Sequence, residues 1–190
     1  MTKPELRKLY LEKRNALSQE EREIKSKKIA ENFILQFNPV EKQKVHCFLP
    51  IEKFNEIQTE FIINACWERG VEVYIPKMVD GKLISVLYTS ETLLVQNKWG
   101  IWEPVSNEDA GEHQFDIVVT PLLYCDRQGN RVGYGKGFYD GLFASISPQS
   151  KKVGISYFPP SYAIFDLREE DIPLDYLVTP DEVLSFAGAL

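Results

Sequence analysis

From Gly129 to Asp140 the chain reads Gly-Asn-Arg-Val-Gly-Tyr-Gly-Lys-Gly-Phe-Tyr-Asp, a segment in which glycines alternate with cationic and aromatic residues. Gly133, Gly135 and Gly137 stand at every second position. Their backbone N–H groups are uncovered, and glycine reaches the positive φ angles that turn such groups toward one point. The composition suits a loop that holds phosphate. Arg131 and Lys136 add full positive charges. The apolar run from Phe115 to Tyr124 reads as a buried strand ahead of the loop, and Phe138, Leu142, Phe143 and Ile146 follow at helical spacing, so the loop opens a helix. An anion there meets the free N–H groups of the first turn and the positive end of the helix dipole, worth about 0.3–1 kcal/mol per charge. The G-x-G-x-G spacing fits neither the dinucleotide fingerprint nor the G-x-x-x-x-G-K-[ST] loop. On residue types alone, a phosphate cradle and a plain glycine-rich connector both stay open.

The elements that must position this loop follow from periodicity and turn residues. Thr2-Lys3-Pro4-Glu5 reads as a capping box opening a first helix with Leu6, Leu9, Tyr10 and Leu17 on its apolar stripe. Lys3, Arg7 and Arg14 share another face of that helix, either a reach toward one polyphosphate or a solvated face. Ser18-Gln19-Glu20-Glu21 is a second capping box, and Asn38-Pro39 ends the helix it starts. A short strand over Val45 to Leu49 leads past Glu56 to Thr59, placed to cap a helix running to Arg69. His46, inside that strand, reads as a hydrogen-bonded core residue, because no histidine or cysteine accompanies it at ligand spacing. Glu56 follows the carboxyl end of a strand, where open α/β sheets bind ligands. Strands over Val71–Ile75 and Leu83–Tyr88 flank an Asp80-Gly81 turn, and a Trp99-Gly100-Ile101-Trp102 loop comes next. Lys152 to Phe158 reads as a further central strand and Tyr176 to Thr179 as an edge. This alternation predicts one three-layer α/β/α domain over residues 1–190 around a mainly parallel sheet, with the site at the strands' carboxyl ends.

A chain of 190 residues with 44% hydrophobic and 12% aromatic content can bury a sizeable core. Its formal net charge of −6 argues against nucleic acid or an anionic membrane surface as a partner. The three cysteines, Cys47, Cys66 and Cys125, form no C-x-x-C pair and fit reduced thiols. Charges punctuate the N-terminal residues, and no apolar run reaches membrane-spanning length, so a cytoplasmic monomer acting on small molecules is expected.

With these residues in hand, the chain resembles the 5-formyltetrahydrofolate cyclo-ligase family, also called methenyltetrahydrofolate synthetases, over nearly its whole length. Residues 129–140 are similar to that family's G-x-R-[LV]-G-x-G-x-G-[YF]-Y-D signature. Weaker matches fall in the same order: the cations Lys3 and Arg7, Glu56-Ile57-Gln58-Thr59, Trp99 to Pro104, and Asp171-Ile172-Pro173-Leu174-Asp175. Phe138 stands where the family often has tyrosine, Glu170 where histidine is common, and Cys125 where phenylalanine is usual.

The resemblance implies a fold grouped with ribose-phosphate isomerases and CoA transferases, and an ATP- and Mg²⁺-dependent closure of 5-formyltetrahydrofolate to 5,10-methenyltetrahydrofolate. It further implies that Lys3, Arg7, Arg131, Val132, Gly133, Tyr134, Gly135, Lys136, Gly137, Phe138 and Tyr139 hold ATP, with Lys136 and Arg131 catalytic. Asp140 and Asp171 would hold Mg²⁺. Glu56, Leu49, Trp99 and the loop face from Tyr134 to Phe138 would bind the reduced folate. The rival readings are a sugar-phosphate isomerase or CoA transferase on the same fold, which would need its own base or nucleophile, and a non-catalytic sensor of a phosphorylated metabolite.

Overall fold

The two capping boxes set the first third of the chain. In the computed structural model, which describes residues 1–186, Thr2 Oγ1 accepts the Glu5 N–H at 3.4 Å while the Glu5 carboxylate accepts the Thr2 N–H at 2.8 Å. This opens α1 (Lys3–Asn15), and the same reciprocal pair between Ser18 and Glu21 opens α2 (Gln19–Phe37). Asn38, in the left-handed region at φ 40°, closes α2. The strand β1 (Lys44–Cys47), a 3₁₀ turn over Glu52–Phe54 and α3 (Glu60–Glu68) follow. Thr59 stands at the start of α3 but does not cap it. Its hydroxyl donates instead to the Phe48 carbonyl at 2.7 Å, tying the helix to the end of β1.

The remaining elements are β2 (Glu72–Val79), β3 (Lys82–Tyr88), β4 (Leu94–Gln96), β5 (Trp102–Pro104), β6 (Ile117–Thr120), β7 (Tyr124–Cys125), β8 (Arg131–Val132), α4 (Phe138–Ser145), β9 (Lys151–Ile155), β10 (Tyr176–Val178) and β11 (Val183–Ser185). Seven strands form one sheet in the order β11-β10-β9-β6-β1-β2-β3. The five inner strands run parallel, and β3 and β11 lie antiparallel at the two edges. Residues 176–179 are therefore no edge: β11 covers them, pairing Leu177 with Leu184. The tryptophan loop is an antiparallel β4–β5 hairpin. Its turn contains Gly100 at φ 75°, which supplies the reversal.

Alternation along β1 divides the core. Val45 and Cys47 face α2 and α3 with Ile29, Phe33, Ile62 and Val119, while His46 faces α4 with Phe115 and Val118. A third cluster packs α1 through Leu6 and Tyr10 onto Tyr124 and Val132 of the β7–β8 hairpin. His46 is wholly buried, yet neither ring nitrogen has a hydrogen-bond partner, contrary to the bonded core residue expected. Burial pushes it down to about 3, so the ring stays neutral and packs edge-on to Phe115 with centroids 5.1 Å apart.

Chain order reverses between β1 and β6: from β1 the strands proceed one way to β2 and β3, and from β6 the other way to β9 and β10. Such a reversal leaves a crevice at the strands' carboxyl ends. The segment after β1 carries Leu49 and Glu56, and the segment after β6 carries the glycine loop.

The β7–β8 turn that aims this loop is fixed by buried Asp126. Its Oδ1 accepts N–H bonds from Gln128 and Asn130, both at 2.9 Å, and its Oδ2 accepts from the Asn130 amide at 3.0 Å. Gly129 sits in that turn at φ 86°, and a Cβ there would lie 2.8 Å from both the Leu174 carbonyl oxygen and the Phe186 ring. Left-handed strain of about 1–2 kcal/mol plus the displacement of a backbone oxygen gives Gly129→Ala an expected loss of about 2–4 kcal/mol. Thermal denaturation should show this as a melting temperature lower by roughly 5–15 °C.

Candidate active site

The glycine loop is assembled from both ends. At its start, the half-buried Arg131 guanidinium donates to the Ile172 carbonyl at 2.6 Å and to Asp140 Oδ1 at 2.8 Å, and lies 4.7 Å from the Phe143 ring centroid. Arg7 of α1 donates its Nε–H to the Gly133 carbonyl at 2.9 Å, and its guanidinium passes 3.5 Å from where a Cβ on Gly135 would stand. Gly135 and Gly137 have φ of 86° and 69°, the left-handed geometry that the alternating glycines anticipate, whereas Gly133 does not adopt it. Gly137 is the N-cap of α4 and offers no side chain to the helix's first N–H groups. Those donors are left for an anion. Lys136 and Phe138 are exposed, and among the described residues no ion pair holds Lys136.

Two loop residues turn inward. Val132 packs in the α1-side cluster, and the Tyr139 ring packs against Phe143 and His46 with its hydroxyl enclosed and unpartnered. Only their backbone is free to face a ligand.

The carboxylates expected to hold metal are both engaged by cations. Asp140 accepts from Arg131 and, at 3.2 Å, from the Ile172 N–H; Asp171 pairs with Lys3 Nζ and accepts the Arg168 N–H at 2.7 Å. Partial burial opposes ionisation of Asp171, but Lys3, the Arg168 amide and the Arg131 charge outweigh it and hold the carboxyl below its ordinary value. Both groups keep part of their surface open, and both lie beside Ile172, one directly before it and the other bonded to its amide. No cluster of three or more acidic, histidine or cysteine ligands exists among the described residues. A pair of carboxylates still suits Mg²⁺, which keeps its waters and takes one or two carboxylates together with substrate phosphates.

Glu56 lies on the opposite side of the crevice, almost wholly buried at the wall of a cavity of about 880 Å³. Leu49, Pro50, Tyr88, Leu94 and Trp102 also line it. Glu56 Oε2 accepts the Ile51 N–H at 2.6 Å and Oε1 accepts the Tyr134 hydroxyl at 2.9 Å. Burial pushes its carboxyl up, opposed by the Ile51 amide, the Arg14 charge and the Tyr134 hydroxyl. Of the expected folate-binding residues, Leu49 and Glu56 line this cavity, whereas Trp99 and residues 134–138 do not. Trp99 is exposed under the Lys98 ammonium, 4.3 Å from its ring, and Trp102 supplies the aromatic wall instead. Trp99 lies in the hairpin turn and Trp102 in β5, so the two rings need not share a face and only one of them lines the cavity. The sequence does not say which. A separate groove of about 790 Å³ between α2 and α3 is lined by Ala30, Ile34 and Phe61 and by none of these residues.

Arg14 is the second residue that spacing misplaces. It shares a face with Arg7, but seven residues are about 10 Å along the helix axis, which carries it to the buried underside of the loop rather than its open face. There it donates to Tyr134 Oη at 2.9 Å and to the Leu122 carbonyl at 2.7 Å.

Residues 1–165 match the 5-formyltetrahydrofolate cyclo-ligase family, most of the chain and all of the crevice except Asp171. The chain belongs to that family. It is 34% identical over 130 residues to the 5-formyltetrahydrofolate cyclo-ligase of Haemophilus influenzae, covering 65% of this chain and 70% of that protein. With the protein of the same name from Escherichia coli K12 it shares 28% identity over 178 residues, 90% of this chain and 97% of the relative. The NMR structure of the Aquifex aeolicus 5,10-methenyltetrahydrofolate synthetase superimposes with a TM-score of 0.80 at 30% identity, over 100% of this chain and 95% of that one. The seven-stranded α/β architecture is thus the architecture of known members.

Proposed function

We propose that this protein closes 5-formyltetrahydrofolate to 5,10-methenyltetrahydrofolate and cleaves ATP to ADP and phosphate in doing so. One observation supports the reading: Tyr134, within the glycine loop, donates its hydroxyl to Glu56 at the cavity wall. A nucleotide on the loop and a flat ligand in the cavity would be neighbours. The family membership supplies the substrate.

The N5-formyl group is an amide, and its oxygen must depart as N10 attacks the formyl carbon. Hydroxide leaves poorly. If the formyl oxygen first attacks the γ-phosphorus and displaces ADP, the C–O bond that later breaks releases phosphate, and N10 loses its proton as the ring closes. Such chemistry asks the protein for position and charge stabilisation, with no covalent intermediate on a side chain. Lys3, Arg7, Arg131, the backbone from Val132 to Tyr139 and Lys136 bind the triphosphate, and Lys136 stabilises the transferring phosphoryl. Glu56 accepts N–H bonds from the pterin, and Leu49 and Trp102 bracket its ring.

Asp140 and Asp171 fit Mg²⁺, which when bound neutralises charge on the phosphates. Arg131 and Lys3 now neutralise these same carboxylates. With a polyphosphate bound, Lys3 and Arg131 would pair with it and Asp171 and Asp140 would be available to hold Mg²⁺, so neither set of charges would be left unpaired. Asp140→Asn is accordingly expected to require about tenfold or more Mg²⁺ for half-maximal rate, the scale of one charged contact. A Mg²⁺ titration identical to that of the parent removes Asp140 from the site. The reading as a whole is tested by the absorbance of the conjugated methenyl product. Product should form from 5-formyltetrahydrofolate only with ATP, and its absence with ATP present overturns the proposal.

A further inference from the structure

Arg14 is a guanidinium left 4% exposed in the last turn of α1, at a place where the phosphate chemistry has no use for it. Burying such a group costs several kcal/mol unless its donors are met and a negative charge is close. Its donors are met: the Leu122 carbonyl at 2.7 Å, Tyr134 Oη at 2.9 Å and the Phe54 carbonyl at 3.3 Å. None of these acceptors is a carboxylate. The negative charge lies one hydroxyl further on, because the phenol that accepts from Arg14 must send its own proton elsewhere, and it sends it to Glu56 Oε1 at 2.9 Å. Phe54 stacks on the Tyr134 ring with centroids 5.0 Å apart and planes at 23°, which fixes the direction of that hydroxyl.

The relay has one orientation, from guanidinium to phenol to carboxylate, and it crosses four segments: α1, the residues after β6, the 3₁₀ turn and the glycine loop. Arg14 itself does not line the cavity, whereas Glu56 does. We propose that Arg14 is a positioning residue for the folate site, acting through the Tyr134 hydroxyl to keep Glu56 an oriented carboxylate whose remaining lone pairs face the cavity. This rests on the reading of Glu56 as the acceptor of the pterin's N–H groups. A lysine there would supply charge but not the fork, since one ammonium cannot span the carbonyls of Leu122 and Phe54 and the phenol in the directions a planar guanidinium reaches.

The groups facing Glu56 show why this cation matters. Tyr134 of the loop, Tyr139 of α4 and Tyr157 after β9 are neutral phenols that burial holds above their ordinary values. The cavity rim brings Arg22 and Glu23 of α2, Glu52 of the 3₁₀ turn and Glu60 of α3, three carboxylates to one guanidinium. Arg22 is turned away to the Leu17 carbonyl at 2.6 Å. Arg14 is the cation whose charge favours ionised Glu56. Without it, Glu56 takes up its proton at higher pH, and a protonated carboxyl loses both its charge and part of its capacity to accept.

The experiment measures initial rates of methenyl formation across pH for the parent protein, Arg14→Met, Arg14→Lys and Tyr134→Phe. Arg14→Met should raise the KM for 5-formyltetrahydrofolate by about 10- to 100-fold while the KM for ATP stays within about twofold, as expected on losing an interaction with a charged group at one site only. The acid limb of kcat/KM for the folate should move about one pH unit upward. Arg14→Lys should return the acid limb toward the parent's position and recover the KM only in part. Tyr134→Phe cuts the same relay and should move the limb likewise, with the double variant no worse than the more severe single one. A folded Arg14→Met protein with an unmoved acid limb, or with equal losses toward folate and ATP, overturns the proposal. If Arg14→Met does not fold, an unmoved limb in Tyr134→Phe overturns it instead. A parent protein that forms no methenyl product is a different result, the failure of the proposed reaction itself.

Discussion

Lys136→Ala is expected to lower turnover by roughly ten- to a thousandfold, the range seen when one preorganised donor to developing charge is removed. The other cations at the loop have structural partners: Arg131 is tied to Asp140 and the Ile172 carbonyl, Lys3 to Asp171, and Arg7 to the Gly133 carbonyl. Lys136 is exposed between two left-handed glycines, and no ion pair restrains it among the described residues. It can follow a phosphoryl group as charge moves during transfer. An exposed side chain with no partner contributes little to folding, so the melting temperature should hold to within the effect of about 0.5 kcal/mol. Steady-state rates at saturating ATP and folate, with a thermal melt alongside, separate the roles. A rise confined to the KM for ATP would make Lys136 a binding residue only, and unchanged kcat and KM would remove it from the site.

How much of this was legible beforehand depended on whether the signal was local. Each capping box is a bond between residues three apart, so Thr2 with Glu5 and Ser18 with Glu21 could be read directly and are present. The positive φ angles of Gly135 and Gly137 follow from the glycine pattern in the same way. Glu56 was legible through topology, because a loop after a parallel strand opens into the crevice. What failed was decided by tertiary partners. Thr59 had the right type and place for a cap, but the Phe48 carbonyl competes for its hydroxyl. Arg14 matched Arg7 in helical phase but not in depth. Residues 176–179 looked like an edge because the strand that covers them comes later in the chain. Trp99 and Trp102 could not be distinguished until the hairpin's facing was known. In the candidate site, long-range contacts set the geometry around Glu56 and the cavity, whereas one short segment sets most of the glycine loop.

Glu56→Gln should raise the KM for 5-formyltetrahydrofolate by about 30- to 1,000-fold and spare ATP, since two charge-assisted contacts are worth about 2–4 kcal/mol when weakened together. The carboxylate accepts through both oxygens, from the Ile51 N–H and from the Tyr134 hydroxyl. An amide can serve only one of these donors well, because its other end is itself a donor. The relay from Arg14 then ends on a neutral group, and the pterin loses its acceptor. Stability has a pH dependence of its own at this position. Burial raises the carboxyl's folded-state value above the unfolded one, so the proton it holds stabilises the fold fully below the unfolded-state value, and that stabilisation is lost as pH rises through the folded-state value. Glutamine removes that titration and should flatten the pH dependence of the melting temperature on the acid side, while the buried donor it leaves poorly met costs about 1–3 kcal/mol. Parallel measurement of folate KM and of melting temperature against pH checks both halves. Equal losses of folate and ATP affinity, or a folate KM that does not move, would take Glu56 out of the pterin's pocket.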